Sequence, residues 1–360
     1  MKSALLVSSF GGPRGRSEVE PFLRALFSDR DAIRLPAGAI LQAPLASWVA
    51  RRRAPRSADQ YARIGGASPM AKTTKAQAAG LGDRLPARGI SSPVIVGMRY
   101  TSPTIAHAVD RALEAGIERL VVLALYPQYS ISTSGSAFNA VARRLAERRG
   151  GGEVETHFIP AFYRLPGYLQ AMAARIVRAL GDAPDDAHLL FSAHGVPLRY
   201  VRRLGDPYAR QIQETIGLLL PRVETVLGRE LSASLAWQSR VGPIRWLGPS
   251  TEEAIGSLAA SGVSALVVVP ISFVCDHLET LYEIDIEYGD LARDLGITHF
   301  ARTKALDTDA AFLDALADAV APALRGAGRA LCEICLLPLP AGGECDRTCR
   351  ECGYPRAPWR

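Results

Sequence analysis

Arg99-Tyr100-Thr101-Ser102-Pro103-Thr104 opens a run that continues through Ala108 and Gly116 to Leu120-Val121-Val122. Arg245-Trp246 opens a second run that sets Pro249, Ala254, Gly262 and Leu266-Val267-Val268 at the matching positions, without a gap. Each run reads as a turn, a helix, a glycine stop and a buried strand. A unit that occurs twice predicts two similar halves, and the rest of the chain fits them. Apolar, β-branched runs at Ala4–Ser9, Val94–Met98, Leu120–Leu125, Val154–Ile159, His188–Ser192, Ser234–Trp237, Ala265–Pro270 and Ile297–Arg302 alternate with helical patterns. That alternation marks parallel sheets covered by helices on both faces. The expected fold is α/β: two similar doubly wound, Rossmann-like domains, residues 1–162 and 163–325, with a cleft between them. A Cys-rich tail, residues 326–360, follows.

The polar motifs cluster at strand ends. Ser8-Ser9-Phe10-Gly11-Gly12-Pro13, Tyr126-Pro127-Gln128-Tyr129-Ser130, Ser192-Ala193-His194-Gly195, Trp237-Gln238-Ser239 and Asp276–Glu287 each follow a predicted strand. In open α/β sheets the carboxyl ends of the strands face the ligand crevice. Five such motifs drawn from both halves predict one shared cleft. The glycine pairs Gly11-Gly12 and Gly65-Gly66 lack the spacing of a phosphate loop and read as tight turns.

The richest of these motifs is Cys275-Asp276-His277-Leu278-Glu279-Thr280-Leu281-Tyr282-Glu283-Ile284-Asp285-Ile286-Glu287. On a helix, Glu279, Glu283 and Glu287 stack on one face, where like charges destabilise by roughly 0.2–0.5 kcal/mol per pair. A solvated acidic face is the plain reading. With His277 and Asp276 beside the ladder and an apolar strand before it, the pattern points to a site that handles protons or a cation. His194, at a strand end before a glycine, is the other candidate, since an imidazole titrates near neutrality.

Composition narrows the partners. The chain has 360 residues, is 48% hydrophobic and carries a net charge of +6, with arginine far outnumbering lysine. No basic and aromatic cluster suggests nucleic-acid readout; the mild excess favours anionic small molecules or lipid surfaces. Residues 1–7 are too short for a signal-peptide core and no stretch reaches a membrane span, so a cytoplasmic protein is expected. The stretch from Leu35 to Arg53 is apolar, holds Trp48 and ends in Arg51-Arg52-Arg53. It reads as a core helix or as a lip resting on an anionic membrane surface.

Several strings together resemble the ferrochelatase family, whose members insert ferrous iron into a porphyrin. They are Phe27-Ser28-Asp29-Arg30-Asp31, Gln60 to Pro69, Tyr126 to Ser136, Phe191-Ser192-Ala193-His194, Gly205-Asp206-Pro207-Tyr208, Trp237 to Pro243, and Asp276 to Tyr288. The resemblance covers Ala4 to about Leu316. It implies that His194 and Glu279 face each other across the porphyrin, His194 accepting pyrrole protons and Glu279 presenting Fe²⁺ or relaying protons. Glu283 and Glu287 would extend the path outward, and His194 and all three glutamates are the implied metal-binding residues. Phe10, Tyr61, Arg99, Tyr100, Trp237 and Phe273 are implied to line the pocket, with Arg99 facing a propionate. The implied substrates are Fe²⁺ and protoporphyrin IX. Coproporphyrin III or another tetrapyrrole is the alternative, and a non-catalytic haem or metal sensor a more distant one. The apolar lip resembles that of the membrane-associated, protoporphyrin-using branch.

The tail carries Cys332-x2-Cys335, Cys345 and Cys349-x2-Cys352. Paired C-x2-C motifs signal a metal site. By resemblance to those ferrochelatases that carry one, it is a [2Fe–2S] cluster held by four of the five thiolates; a structural Zn²⁺ knuckle is the alternative. Cys275, far from the tail, is expected to be a buried structural thiol.

Overall fold

The computed structural model describes residues 1–34, 38–148, 154–240 and 244–326. The first half runs β1 (Ser3–Ser9), α1 (Arg16–Ser28), α2 (Gly38–Arg63), α3 (Met70–Arg84), β2 (Val94–Met98), α4 (Ile105–Glu114), β3 (Arg119–Ala124), α5 (Ser136–Glu147) and β4 (Glu155–Ile159). The second runs α6 (Pro166–Gly181), β5 (His188–His194), α7 (Leu198–Leu204), α8 (Tyr208–Leu227), β6 (Ala233–Gln238), α9 (Thr251–Ala260) and β7 (Ala265–Pro270). A π-helical segment (Glu279–Tyr288), α10 (Gly289–Asp294), β8 (His299–Arg302) and α11 (Ala310–Arg325) complete it.

The strands form two four-stranded sheets, β2-β1-β3-β4 and β6-β5-β7-β8, and every pairing is parallel. The two orders are the same once β5 is set against β1, so the repeat read from sequence is a repeat of topology. All eight expected strands are present, shifted by a residue or two at their ends. Met98 N–H donates to Pro103 O at 2.7 Å, and Trp237 N–H to Pro249 O at 3.0 Å. Thr104 and Ser250 then cap α4 and α9 through their hydroxyls. Gly116 and Gly262 take positive φ values of 67° and 90° after those helices, where a side chain would meet steric cost. The correspondence therefore holds from Pro103 and Pro249 onward. Before that, the connection out of β6 is longer than the one out of β2, so the residues matching Arg99-Tyr100 are Gln238-Ser239 rather than Arg245-Trp246.

The central strands are apolar on both faces, as expected of a sheet covered on both sides. A single buried cluster takes in Leu5, Leu6, Val121 and Leu123 of the first sheet and Leu189, Val267 and Val269 of the second. The last helix stitches the halves. In α11, Phe312 packs against Phe162 and Tyr168 with ring centroids 5.8 and 6.3 Å apart, while Asp314 and Asp318 pair with Arg84 at 3.0 Å and Arg88 at 2.6 Å.

The loop after β3 is pinned to α8. Buried Asp206 accepts from Ser130 Oγ at 2.8 Å, Ile131 N–H at 3.0 Å and Tyr208 N–H at 3.1 Å. Gln128 donates to Thr215 Oγ1 at 3.1 Å, and Tyr129 N–H to Gln211 Oε1 at 2.6 Å. Three donors offset the desolvation of the Asp206 carboxyl, whose pKa burial nevertheless pushes up. Gly205-Asp206-Pro207-Tyr208 is thus more than a turn: it holds the two halves in one orientation.

The α1–α2 hairpin packs its buried side against Leu278, at the head of the π-helical segment. Ala46 and Ala50 of α2 are buried, and Gln42 Nε2 donates to the carbonyls of Phe27 at 2.7 Å and Ile33 at 2.8 Å. The other side of α2 exposes Ile40, Leu41 and Trp48, with the Arg52 guanidinium 5.8 Å from the Trp48 ring centroid. Among the described residues no helix is long and apolar enough to cross a membrane.

Candidate active site

Two groups of side chains meet where the sheets' carboxyl ends converge. In the first, Phe10 leaves β1 and packs edge-on against Tyr100 at 5.0 Å and Tyr126 at 5.8 Å. Phe22 of α1 extends this wall, 6.3 Å from Tyr100. Arg99 stands beside it but is already engaged. It donates to Asp29 Oδ2 at 2.6 Å and Ser136 Oγ at 2.8 Å, and the same Asp29 oxygen accepts from Tyr100 at 2.8 Å and Ser136 at 2.7 Å. A buried carboxylate with three side-chain donors is a fixed node, so Asp29 orders both Arg99 and the aromatic wall.

The second group belongs to the other half. His194 ends β5; its backbone N–H donates to Ser272 Oγ at 3.1 Å, and Ser272 shares a 2.6 Å bond with Tyr208. Tyr208 backs Trp237, with ring centroids 6.0 Å apart, and Trp237 itself is buried. The His194 imidazole lies 6.1 Å from the Phe273 ring, and Phe273 stands perpendicular to His277 at 4.0 Å. Nδ1 of His194 and Nε2 of His277 are buried and have no hydrogen-bond partner among the described residues. Nδ1 of His277 faces Glu279 Oε2 at 3.1 Å. Buried polar atoms are nearly always bonded, so two open imidazole nitrogens beside one carboxylate mark a place built for something else.

The charges sort themselves by burial and partner. Burial holds both imidazoles below the usual histidine range, more strongly than the carboxylate of Glu279 raises them. Burial also opposes ionisation of Glu279, yet the neighbouring His277 and His194 outweigh it and keep the carboxyl below its ordinary value. At neutral pH the site thus holds neutral imidazoles and an ionised Glu279. Tyr61, buried at the end of α2, lies near enough for Glu279 to add to the effect of burial in raising its hydroxyl pKa. Tyr126 feels Cys275 in the same way, so the aromatic wall of the first half adjoins the acidic segment of the second. Cys275 is buried and its thiol pushed up by burial, as expected of a structural cysteine.

The acidic segment differs from the α-helix expected of it. It is π-helical over Glu279–Tyr288, a form uncommon in proteins and frequent at functional sites. Bonds outside the helix hold it. Arg302, at the end of β8, donates to Asp276 Oδ1 at 2.8 Å and to both oxygens of Asp285 at 2.7 and 2.8 Å. One arginine thereby neutralises two of the five carboxylates; among the described residues no arginine or lysine forms a salt bridge with Glu279, Glu283 or Glu287, although Arg53 lies near enough to feel Glu283. Glu283 accepts from Ser239 Oγ at 2.5 Å. Burial, then Glu279 and Glu287, push its carboxyl up to about 8 despite that bond. Among the described residues, no three His, Cys, Asp or Glu side chains are already gathered to hold a metal ion. The tail cysteines lie outside the described residues.

The raised Glu283 has a consequence for stability. Between its unfolded value of 4.5 and its folded value of about 8, the unfolded chain is ionised while the folded chain keeps the proton. The unfolded state then binds fewer protons, and stability falls as pH rises through that window. Glu283→Gln removes this titration. Its melting temperature should match the wild type near pH 5 and exceed it by roughly 5 °C at pH 8.5; a difference independent of pH would contradict the burial of the charge.

His277, Asp29, Asp206 and Ser239 are the residues that sequence reasoning left without a role. His277 was legible beside the acidic ladder. Asp29 and Asp206 lay in quoted strings but their partners are remote in sequence. Ser239 lay in the strand-end motif Trp237-Gln238-Ser239, but its partner Glu283 is remote in sequence.

A family model described as Ferrochelatase matches residues 2–324. A protein named "Ferrochelatase" from Gloeobacter violaceus is 46% identical over 318 residues, which cover 88% of this chain and 96% of that one. Another of that name from Nostoc punctiforme is 46% identical over 323 residues, 89% of this chain and 82% of its own. SirB from Bacillus subtilis with Fe³⁺ superposes with a TM-score of 0.53 at 12% identity, covering 91% of this chain and 97% of that one. That last likeness concerns the fold alone. With a family match along nearly the whole described chain and relatives this similar, the chain belongs to the ferrochelatase family.

Proposed function

We propose that this enzyme inserts ferrous iron into protoporphyrin IX to form protohaem, a lyase reaction, in the cleft between the two sheets. The observation that carries the residue assignment is the buried His194 with its open Nδ1, linked through Phe273 to the His277–Glu279 pair, beside a wall of aromatic side chains. Insertion must remove two pyrrole N–H protons while a divalent cation enters between the same nitrogens. A neutral imidazole can accept a proton, and burial keeps His194 in that form. Glu279 supplies the negative charge that draws the cation out of water, and oxygen and imidazole donors both suit ferrous iron. His277, with Nδ1 3.1 Å from Glu279 Oε2, orients that carboxylate. Glu283, protonated at neutral pH, and Glu287 continue outward and give protons a way to solvent.

Phe10, Tyr61, Tyr100, Trp237 and Phe273 form the apolar surroundings of a flat macrocycle. Arg99 faces a propionate from its place on Asp29. The porphyrin is tested by comparing kcat/KM for protoporphyrin IX and coproporphyrin III. Preference for the first is expected, and preference for the second would reassign the substrate while leaving the chemistry in place.

The exposed Ile40, Leu41 and Trp48, followed by Arg51 and Arg52, support a second proposal, that α2 rests on an anionic membrane surface on the cytoplasmic side. Co-sedimentation with vesicles containing phosphatidylserine should fall at least about fivefold in Leu41→Ser/Trp48→Ser, in line with the apolar area lost. Wild-type protein that ignores such vesicles would leave the lip a role in substrate access only.

For the tail, we propose a [2Fe–2S] cluster on four of Cys332, Cys335, Cys345, Cys349 and Cys352. Anaerobically purified protein should be red-brown with two irons per chain. Colourless protein with one zinc would assign the tail to a Zn²⁺ knuckle.

A further inference from the structure

At the end of β5 the backbone ladder runs out before it reaches His194. β5 pairs with β7 as far as Ser192 opposite Pro270, and Ile271 N–H still donates to Ser192 O at 3.1 Å. One step on, the His194 N–H donates to a side chain instead, Ser272 Oγ at 3.1 Å. Ser272 is buried, and its hydroxyl shares a 2.6 Å bond with the buried Tyr208 hydroxyl. A hydroxyl carries one donor and two lone pairs, so Ser272 serves both neighbours at once. Tyr208 is fixed independently of the strand. Its N–H donates to Asp206 Oδ1 at 3.1 Å, and Asp206 Oδ2 accepts from Ser130 Oγ at 2.8 Å and Ile131 N–H at 3.0 Å in the first half. A chain of contacts thus leads from the loop after β3, through Asp206, Tyr208 and Ser272, to the backbone of His194. The registers of the two sheets set Phe10 at the place of His194 and Tyr126 at that of Ser272. The duplicated fold itself therefore requires neither the imidazole nor the serine.

We propose that Ser272 and Tyr208 are positioning residues for His194: acting through its backbone N–H, they fix how far the imidazole projects into the cleft and tie that position to the junction of the two halves. This rests on the function proposed above, in which His194 accepts the pyrrole protons. Nδ1 of the ring has no hydrogen-bond partner among the described residues, so backbone placement and the edge contact with Phe273, 6.1 Å between centroids, set where the ring lies. A strand end released from its last bond frays, and a buried N–H left without an acceptor is disfavoured. Loss of the Ser272 hydroxyl therefore lets the His194 backbone move, and a shift of about 1 Å can cost about 10² in rate.

Three substitutions separate this role from a structural one. Ser272→Ala removes the acceptor, Ser272→Thr keeps it, and Tyr208→Phe removes one hydroxyl while its ring still packs on Trp237. Ser272→Ala should lower kcat about tenfold and leave the KM values for protoporphyrin IX and ferrous iron within about twofold. Ser272→Thr should return kcat to within about threefold of wild type, and Tyr208→Phe should cost about threefold. Because both residues act through one contact, Ser272→Ala/Tyr208→Phe should be no slower than Ser272→Ala alone. Amide hydrogen exchange gives a readout without turnover. Exchange at His194 should rise about tenfold in Ser272→Ala while Leu189 to Phe191, in the middle of β5, stay protected. Wild-type kcat in Ser272→Ala overturns the proposal, as does a loss that threonine does not recover or that falls on KM as much as on kcat. If Ser272→Ala fails to fold, Tyr208→Phe decides: a lower kcat at unchanged KM supports the tie, and a wild-type kcat overturns it. A wild type that inserts no iron sinks the function proposed above and this inference with it. Insertion by the wild type that none of these substitutions slows sinks this inference alone.

Discussion

His194→Ala should lower the rate of iron insertion by about 10²–10⁴, the usual effect of deleting a general base, while porphyrin affinity stays within a few-fold. The expectation follows from where the imidazole sits. Its backbone is held by Ser272 in a bond the substitution keeps, so β5 and the strand ends around it should not move. What is lost is the group that takes the pyrrole proton. Burial keeps that group neutral down to lower pH than a free histidine, so wild-type activity should persist into mildly acidic solution, with the His277 pair intact, before protonation of His194 removes the acceptor. Steady-state metallation and porphyrin fluorescence quenching, measured on the same preparations, read the two effects separately. Near-full turnover in the variant would remove His194 from the reaction.

Glu279→Gln is expected to cost about 10²–10³ in rate, the scale associated with deleting one electrostatic contact to the reacting centre. Glutamine keeps the shape and removes the charge. Both imidazoles then lose the carboxylate that raises their pKa, so the site becomes less welcoming to a cation as well as to protons. Glu283→Gln should cost less, about tenfold, because Glu283 already carries a proton at neutral pH and stands one step farther from His194. Equal, negligible losses at both positions would return the acidic ladder to a solvated surface.

Much of the fold was legible because it rests on periodicity and repetition. The buried strands announce themselves as short β-branched runs, and Pro103 with Pro249 and Gly116 with Gly262 reveal the duplicated unit. The repeat misled at Arg99-Tyr100, because an ungapped match cannot show that the chain leaves β6 by a longer path than β2. The ladder of glutamates was visible, but its π-helical form was not: Arg302 and Ser239, which hold it, reach it through tertiary contacts. The same limit hid the engagement of Arg99. Its partner Asp29 lies in another motif, and only folding shows that the guanidinium is already bonded to a buried carboxylate. Local chemistry picked out His194 and Glu279; their setting, with Phe273 and His277 between them, needed the structure.

The most direct test of the account is a single-turnover experiment with wild-type protein, protoporphyrin IX and ferrous iron under strictly anaerobic conditions, followed by absorbance. The account predicts that the free-porphyrin bands give way to those of protohaem at a rate far above the protein-free control, with two protons released per haem formed. A porphyrin spectrum that stays unchanged while porphyrin and iron each bind would contradict it.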